Sequence, residues 1–232
     1  MGKTLFRIIR GGISLAFAFA LLSCRSEYPR PEFAETAVFP STSRVLSVFR
    51  NDWPDSGVLR HSAVLEFRGG RVSALGICSF DADTRDTALA MLTTTGVKIL
   101  QVSSKGGDIR GDFRITGVRD KDKAARNLIL DVEGTFIHPS GEPDARGRRG
   151  NSLLLSWMGK GGAGTRVELV FGVPRGRVDG ETRLMEKFFY KGGTLERAVF
   201  YYDYSGDGAL PSRIRVENYS GGYYLTLKAI AD

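Results

Sequence analysis

Four glycine pairs cut much of this 232-residue chain into short runs of alternating hydrophobicity, and that punctuation restricts the fold more than any other feature. Gly69-Gly70, Gly106-Gly107, Gly192-Gly193 and Gly221-Gly222 each separate two segments rich in aliphatic and aromatic residues. Two-residue loops of this kind favour mirror-image turns whose twist matches that of paired antiparallel strands. His61–Arg68 places Ala63, Leu65 and Phe67 on one side, and Arg71–Phe80 is its expected partner. Val97–Ser103 and Asp108–Ile115 form a second such pair. The last third continues with Ser152–Met158, Thr165–Phe171, Thr182–Tyr190, Thr194–Tyr204, Leu210–Tyr219 and Tyr223–Ile230, with Gly206-Asp207-Gly208 as a further turn. Arg44–Arg50 reads as the first strand, which brings the expectation to about ten.

Two segments interrupt the meander. Thr84–Leu92 reads as a short helix. Asp120–Phe136 reads as a longer one, with Asp120 as cap, Ala124, Leu128 and Val132 at a spacing of four, and Ala125 and Ile129 widening the stripe. A helix apolar on one side has to bury that side, most simply on a sheet. His138–Asn151, with Pro, Gly and three arginines, reads as an exposed loop. Alternation nominates inward positions at Leu184, Phe188 and Tyr190; at Ala198, Phe200, Tyr202 and Tyr204; at Ile214 and Val216; and at Tyr223, Leu225 and Leu227. The expected fold is mainly β (α+β): a single, strongly curved antiparallel sheet with two helices on its concave face.

The N-terminus carries a different kind of signal. Lys3, Arg7 and Arg10 precede the apolar run Ile13–Leu22, which is too short for the ~20 residues that cross a bilayer core and has the length of a signal-peptide core. It ends in Leu21-Leu22-Ser23-Cys24. Domain boundaries follow: 1–23 as signal peptide, 24–43 as modified terminus and tether with three prolines, and 44–232 as the folded domain. Met1-Gly2 does not continue as a myristoylation motif, since Phe6 stands where Ser or Thr is needed. The chain has two cysteines. With Cys24 committed, Cys78 has no intramolecular disulfide partner; its apolar surroundings, Ala74–Ile77, mark it as a small core residue. The formal charge of +7 falls to +4 without the three basic residues of the signal, 30 basic against 26 acidic side chains. That suits anionic headgroups at a membrane surface, and nucleic acid is a poor partner because an exported protein does not routinely meet it.

Motifs with catalytic or metal chemistry are weak. Lys160–Thr165 is glycine-rich but lacks the lysine of a phosphate loop and leads into a strand, where such a loop needs a helix. Asp81, Asp83 and Asp86 lack the glycine and distal glutamate of a calcium loop, and read as a polar turn. His61 and His138 with one free cysteine make no zinc set. No enzyme activity, cofactor or metal is expected. The aromatic concentration in the last strands is less ordinary, and it suggests an apolar cavity that accepts an acyl chain. Its candidate lining is Leu65, Phe67, Leu128, Val132, Phe188 and Tyr190, together with Phe200, Tyr202, Tyr223 and Leu225.

Several stretches carry a family resemblance. Leu21–Cys24 resembles a bacterial lipobox, which implies a thioether diacylglycerol on Cys24, removal of the signal and further acylation (palmitate) of the new amino group. Arg25 after the cysteine leans toward the outer membrane, facing the periplasm. The passage Leu210-Pro211-Ser212-Arg213-Ile214, Glu217-Asn218, then Gly222–Lys228 resembles the end of the LolA/LolB lipoprotein carrier and receptor superfamily. Gly76–Ile115, with its Gly96–Leu100 segment and Gly-Gly hairpin, is similar to uncharacterised LolB-like lipoproteins. The resemblance implies an incomplete β-barrel whose helices close an apolar concave side and which binds acyl chains of lipids or lipoproteins; a monomer is expected. That receptor family reaches the membrane with an apolar loop residue, and Trp53 is the candidate for that contact here. The competing reading is an interaction lipoprotein that docks an envelope partner through Arg146–Arg149.

Overall fold

The computed structural model describes residues 29–34, 40–115, 118–159, 164–175, 181–204 and 210–230. The signal segment, Cys24 and the turn at 206–208 lie outside these residues. Helix α1 is Thr42–Asp52 and α2 is Lys121–Phe136. Strands β1 to β5 are Ser56–Phe67, Gly70–Asp81, Thr87–Leu92, Lys98–Lys105 and Asp108–Phe113. Strands β6 to β9 are Ala145–Arg149, Ser152–Met158, Thr165–Gly172 and Arg183–Lys191; β10 to β12 are Thr194–Tyr202, Arg213–Asn218 and Tyr223–Ala229.

All of these strands join one antiparallel sheet in the order β5-β4-β3-β2-β1-β12-β11-β10-β9-β8-β7-β6. The first and last strands meet in its middle, with Leu65 opposite Leu225 and Phe67 opposite Tyr223. The chain therefore runs outward from β1 to the β5 edge, crosses to the far edge at β6, and returns strand by strand. That single crossing is made by α2, so the helix must traverse one face of the sheet. It packs against β2 to β5 and also against β11, which requires the sheet to curl around it. Among the described residues the two edge strands have no second neighbour, and the barrel is open. At the β4–β5 and β9–β10 hairpins both glycines have positive φ (56° and 86°, 55° and 80°), the backbone that only glycine adopts without strain.

The α2 reading holds in detail: Asp120 accepts a hydrogen bond from the Lys123 amide at 2.9 Å, and Ala125, Leu128, Ile129 and Val132 are buried. The carbonyls that a helix leaves open at its C-terminus are met by side chains from elsewhere. Tyr201 Oη donates to Thr135 O at 2.9 Å, Trp53 Nε1 to Phe136 O at 2.9 Å, and Lys187 Nζ to Ile137 O at 2.7 Å. Phe136 stacks on Phe80 of β2, with ring centres 4.7 Å apart. Cys78 is fully buried in the same core, and burial pushes its thiol up to about 12.

Four expectations are corrected. Arg44–Arg50 is helical: the Ser41 side chain caps α1, and Val45, Leu46 and Phe49 form a helical stripe that continues to Trp53. Thr84–Leu92 is a turn followed by β3, whose burial alternates at Thr87, Leu89 and Met91 because both flanking strands offer it a ladder. The high helix propensity of its Ala, Leu and Met residues is overridden. Within His138–Asn151 lies β6, an exposed edge strand bearing Arg146, Arg148 and Arg149. Finally, part of the expected tether is docked. Phe33 bridges Pro174, its ring lies over Gly172, Ala34 N donates to Val173 O at 2.8 Å, and Arg175 N donates to Glu32 O at 3.0 Å.

Candidate functional site

Helix α2 is narrower than the trough it crosses, and a cavity remains on each side of it. The first, about 270 Å³, lies beside the N-terminal half of α2. Leu65 and Phe67 of β1, Leu100 of β4, Phe113 of β5, Leu128 of α2 and Tyr223 of β12 form its apolar wall. Ile115 and Val118, on the connection into the helix, extend it, and Asp120, Lys123 and Asn127 give it a polar rim. The geometry follows from register. Leu65, Phe67, Tyr223 and Leu225 share the inward face of β1 and β12; Leu65 and Leu225 are buried, and Phe67 and Tyr223 stay only partly covered. Such a surface can hold hydrocarbon and nothing that demands several hydrogen bonds.

The second cavity, about 290 Å³, lies beside the C-terminal half of α2 and has a charged wall. Arg85, Lys187 and Arg197 line it together with Glu133 and His138, over an apolar floor that includes Val167 and Phe189. Lys187 is 1% exposed; its ammonium sits 3.2 Å from His138 Nδ1 and over the Phe189 ring at 5.2 Å. Burial, then the neighbouring Arg197, holds Lys187 well below the usual lysine range. Burial, then Lys187, likewise holds His138 well below 6.5. Glu133 is pushed up by burial, against the pull of Arg85 and Arg197.

Between the cavities stands a buried polar partition centred on Asp131 of α2, 1% exposed. It forms an ion pair with Arg197, accepts from Tyr223 Oη, and accepts from Asn218 Nδ2 at 3.0 Å. Arg197 also donates to Leu130 O at 3.2 Å. Burial pushes the Asp131 carboxyl above its usual value, opposed first by Arg197 and then by the hydrogen bonds from Tyr223 and Asn218. Tyr223 faces the apolar cavity and Arg197 the charged one, so a single carboxylate fixes a wall of each.

Of the residues expected around a cavity, Leu65, Phe67, Leu128 and Tyr223 are brought together, and Val132 and Leu225 are buried in the adjoining core. Phe188, Tyr190, Phe200 and Tyr202 are not. Phe188 and Phe200 pack edge to face, Arg166 lies over Tyr190 and Arg213 over Tyr202, all on the outer face of β8 to β11. Two bulges, at Val170/Phe171 against β9 and at Leu195/Arg197 in β10, shift the alternation by one residue. The inward positions are therefore Lys187 and Phe189 on β9, and Arg197, Val199 and Tyr201 on β10. Trp53 is also corrected: it is 7% exposed and its ring packs against His138 and Tyr201, so it is not on a protruding loop. Cys24 lies outside the described residues. The charged cavity went unread because Lys187 and Arg197 look like solvent-facing residues in any alternating pattern; the signal was the bulge, which no local motif announces.

No family model matches the chain, and no curated protein does. The fold superposes on solved structures, among them two bacterial proteins. One is described as an outer membrane lipoprotein-sorting protein domain from Vibrio parahaemolyticus, with a TM-score of 0.43 and 8% identity over 81% of this chain and 89% of that one. The other is a DUF1329 family protein from Desulfovibrio piger, with a TM-score of 0.35 and 10% identity over the same shares of each.

Proposed function

We propose that this chain is a non-enzymatic envelope lipoprotein, held by lipid on Cys24, that shelters an acyl chain of a lipid or lipoprotein beside α2. The observation that carries the reading is the apolar cavity itself, open between α2 and the β1, β4, β5 and β12 strands with hydrocarbon on most of its wall. The N-terminal sequence supports the compartment, and the absence of Asp after Cys24 supports the outer membrane facing the periplasm. At about 270 Å³ the space sits at the small end of ligand pockets, which run from roughly 300 to 1,000 Å³. A space of that size takes the end of one chain. Each methylene removed from water contributes ~0.8 kcal/mol, so even a partial chain supplies useful affinity. A single acyl chain would hold the protein on a membrane only marginally, so the several chains proposed on Cys24 are what make the anchor stable.

Native mass spectrometry of the gently purified protein is expected to find bound lipid. Ala124→Trp, which fills the cavity from α2, is expected to abolish displacement of a fluorescent fatty acid while the thermal transition stays within a few degrees. Undiminished binding by that variant would remove the cavity from consideration. Docking of an acidic envelope partner has its own support in the arginine-bearing edge strand β6. Replacing Arg146, Arg148 and Arg149 with glutamine should then abolish partner capture and leave lipid binding intact.

A further inference from the structure

The charged cavity is separate in place and chemistry from the acyl cavity, and an acyl chain has no use for it. Three cationic side chains, Arg85, Lys187 and Arg197, converge on a space of about 290 Å³. The Asp131 carboxylate is taken by Arg197, Tyr223 and Asn218. Lys187 is buried with a backbone carbonyl, an imidazole nitrogen and an aromatic ring as its neighbours, none of which carries a full negative charge. Burial disfavours the charged form of this amine, and an anionic ligand beside it would restore the ammonium. Arg85 stands at the rim in a left-handed backbone conformation, φ 60°, which a non-glycine residue adopts at some strain. Two features could oppose an anion here, and both are muted. The helix carbonyls of Thr135, Phe136 and Ile137 already receive donors. Glu133 lies in the field of Arg85 and Arg197, which offset its charge.

We propose that the cavity between α2 and strands β8 to β10 binds an oxyanionic group, a phosphate borne on an apolar stem, with Lys187 and Arg85 contacting the oxygens, Arg197 reinforcing the field, and Val167 and Phe189 receiving the stem. Phosphate is favoured over a bare hydrocarbon by the converging cations, and a stem over free phosphate by the apolar floor. A phospholipid headgroup and inorganic phosphate share this chemistry.

The test is calorimetric titration of the full chain in detergent with three probes: dihexanoyl phosphatidic acid, dihexanoylglycerol and inorganic phosphate. Phosphatidic acid is expected to bind at least about tenfold more tightly than the uncharged diacylglycerol, the worth of one or two charge-assisted hydrogen bonds. Lys187→Met should lower that affinity about tenfold, and Arg85→Gln, at the exposed rim where folding is not at risk, a few-fold. Inorganic phosphate binding as tightly as phosphatidic acid would assign the site to the free ion; its weaker binding would assign it to a stemmed ligand. Equal affinities for phosphatidic acid and diacylglycerol, or both variants binding like the wild type, would overturn the proposal. Ala124→Trp separates this from the acyl reading, because it closes the other cavity and leaves phosphate binding in place.

Discussion

The two sides of α2 differ in what they ask of their walls. On the N-terminal side the helix and the sheet leave apolar surface bare, and hydrophobic side chains need nothing from one another beyond proximity. On the C-terminal side Asp131, Lys187 and Asn218 are buried beside other polar groups, and the stability of that region depends on a network where each member has few substitutes. A greasy hollow can tolerate changes in size with a graded response. A polar one fails when a single partner is removed, because the remaining charge is left in a poor solvent. Asp131 lies at the boundary and serves both.

The sharpest way to break this contrast is Asp131→Ala. It leaves Arg197 buried without its carboxylate and Tyr223 without its acceptor, and a loss of about 3–5 kcal/mol is expected in urea denaturation. A loss below about 1 kcal/mol would mean that the partition is already wet. Leu128→Ala enlarges the apolar hollow from within the helix; it is expected to cost about 2–3 kcal/mol, the lower part of the range for buried leucines because the site already adjoins open space. The same variant should take up more acyl probe, and tighter packing with unchanged uptake would contradict an expandable trough.

The histidine on the polar side gives a pH signature. His138 in the folded protein titrates well below 6.5, its ordinary value in the unfolded chain, so the unfolded state binds more protons in the interval between. Its contribution is complete above about pH 6.5 and is lost as the pH falls toward its folded value, by at most ~1.4 kcal/mol per pH unit. His61, lowered chiefly by burial between β1 and β2, acts with the same sign. Thermal melts from pH 7.5 to 5 are expected to show a declining transition temperature, and His138→Asn should flatten part of that decline. An unchanged slope in the variant would show that His138 is solvated. The smallest effect is expected for Lys187→Met without ligand: folding stability should stay level or rise by ~1 kcal/mol, since a buried charge gives way to a side chain of similar volume.

The apolar half of the molecule was the legible half. Asp120 with its stripe of leucine, isoleucine and alanine specifies α2 from sequence alone, and the Gly-Gly hairpins specify the neighbours of β1, β4 and β9. These signals are local, and the structure keeps them. The polar half hid for two reasons. The stripe Val45, Leu46, Phe49 and Trp53 fits a strand over seven residues as well as a helix over eleven, and only its docking at the end of α2 decides. In β9 and β10 both faces are apolar enough that alternation does not choose between them; the irregularity beside Leu184 turns Phe188 outward and Lys187 inward, and in β10 Val199 rather than Phe200 takes the inner face. The pairing of β1 with β12, which makes the open barrel, joins residues some 160 positions apart and leaves no trace in either strand.

The bridge between Phe33 and Pro174 sets a limit on reach. With an anchor on Cys24, as proposed, the seven residue steps from there to Pro31 span at most about 25 Å at ~3.6 Å per residue, whatever their path. A domain anchored at that distance would stay within one protein diameter of the lipid surface. It would sample cargo leaving or entering that surface directly, and would hand nothing across the width of the periplasm.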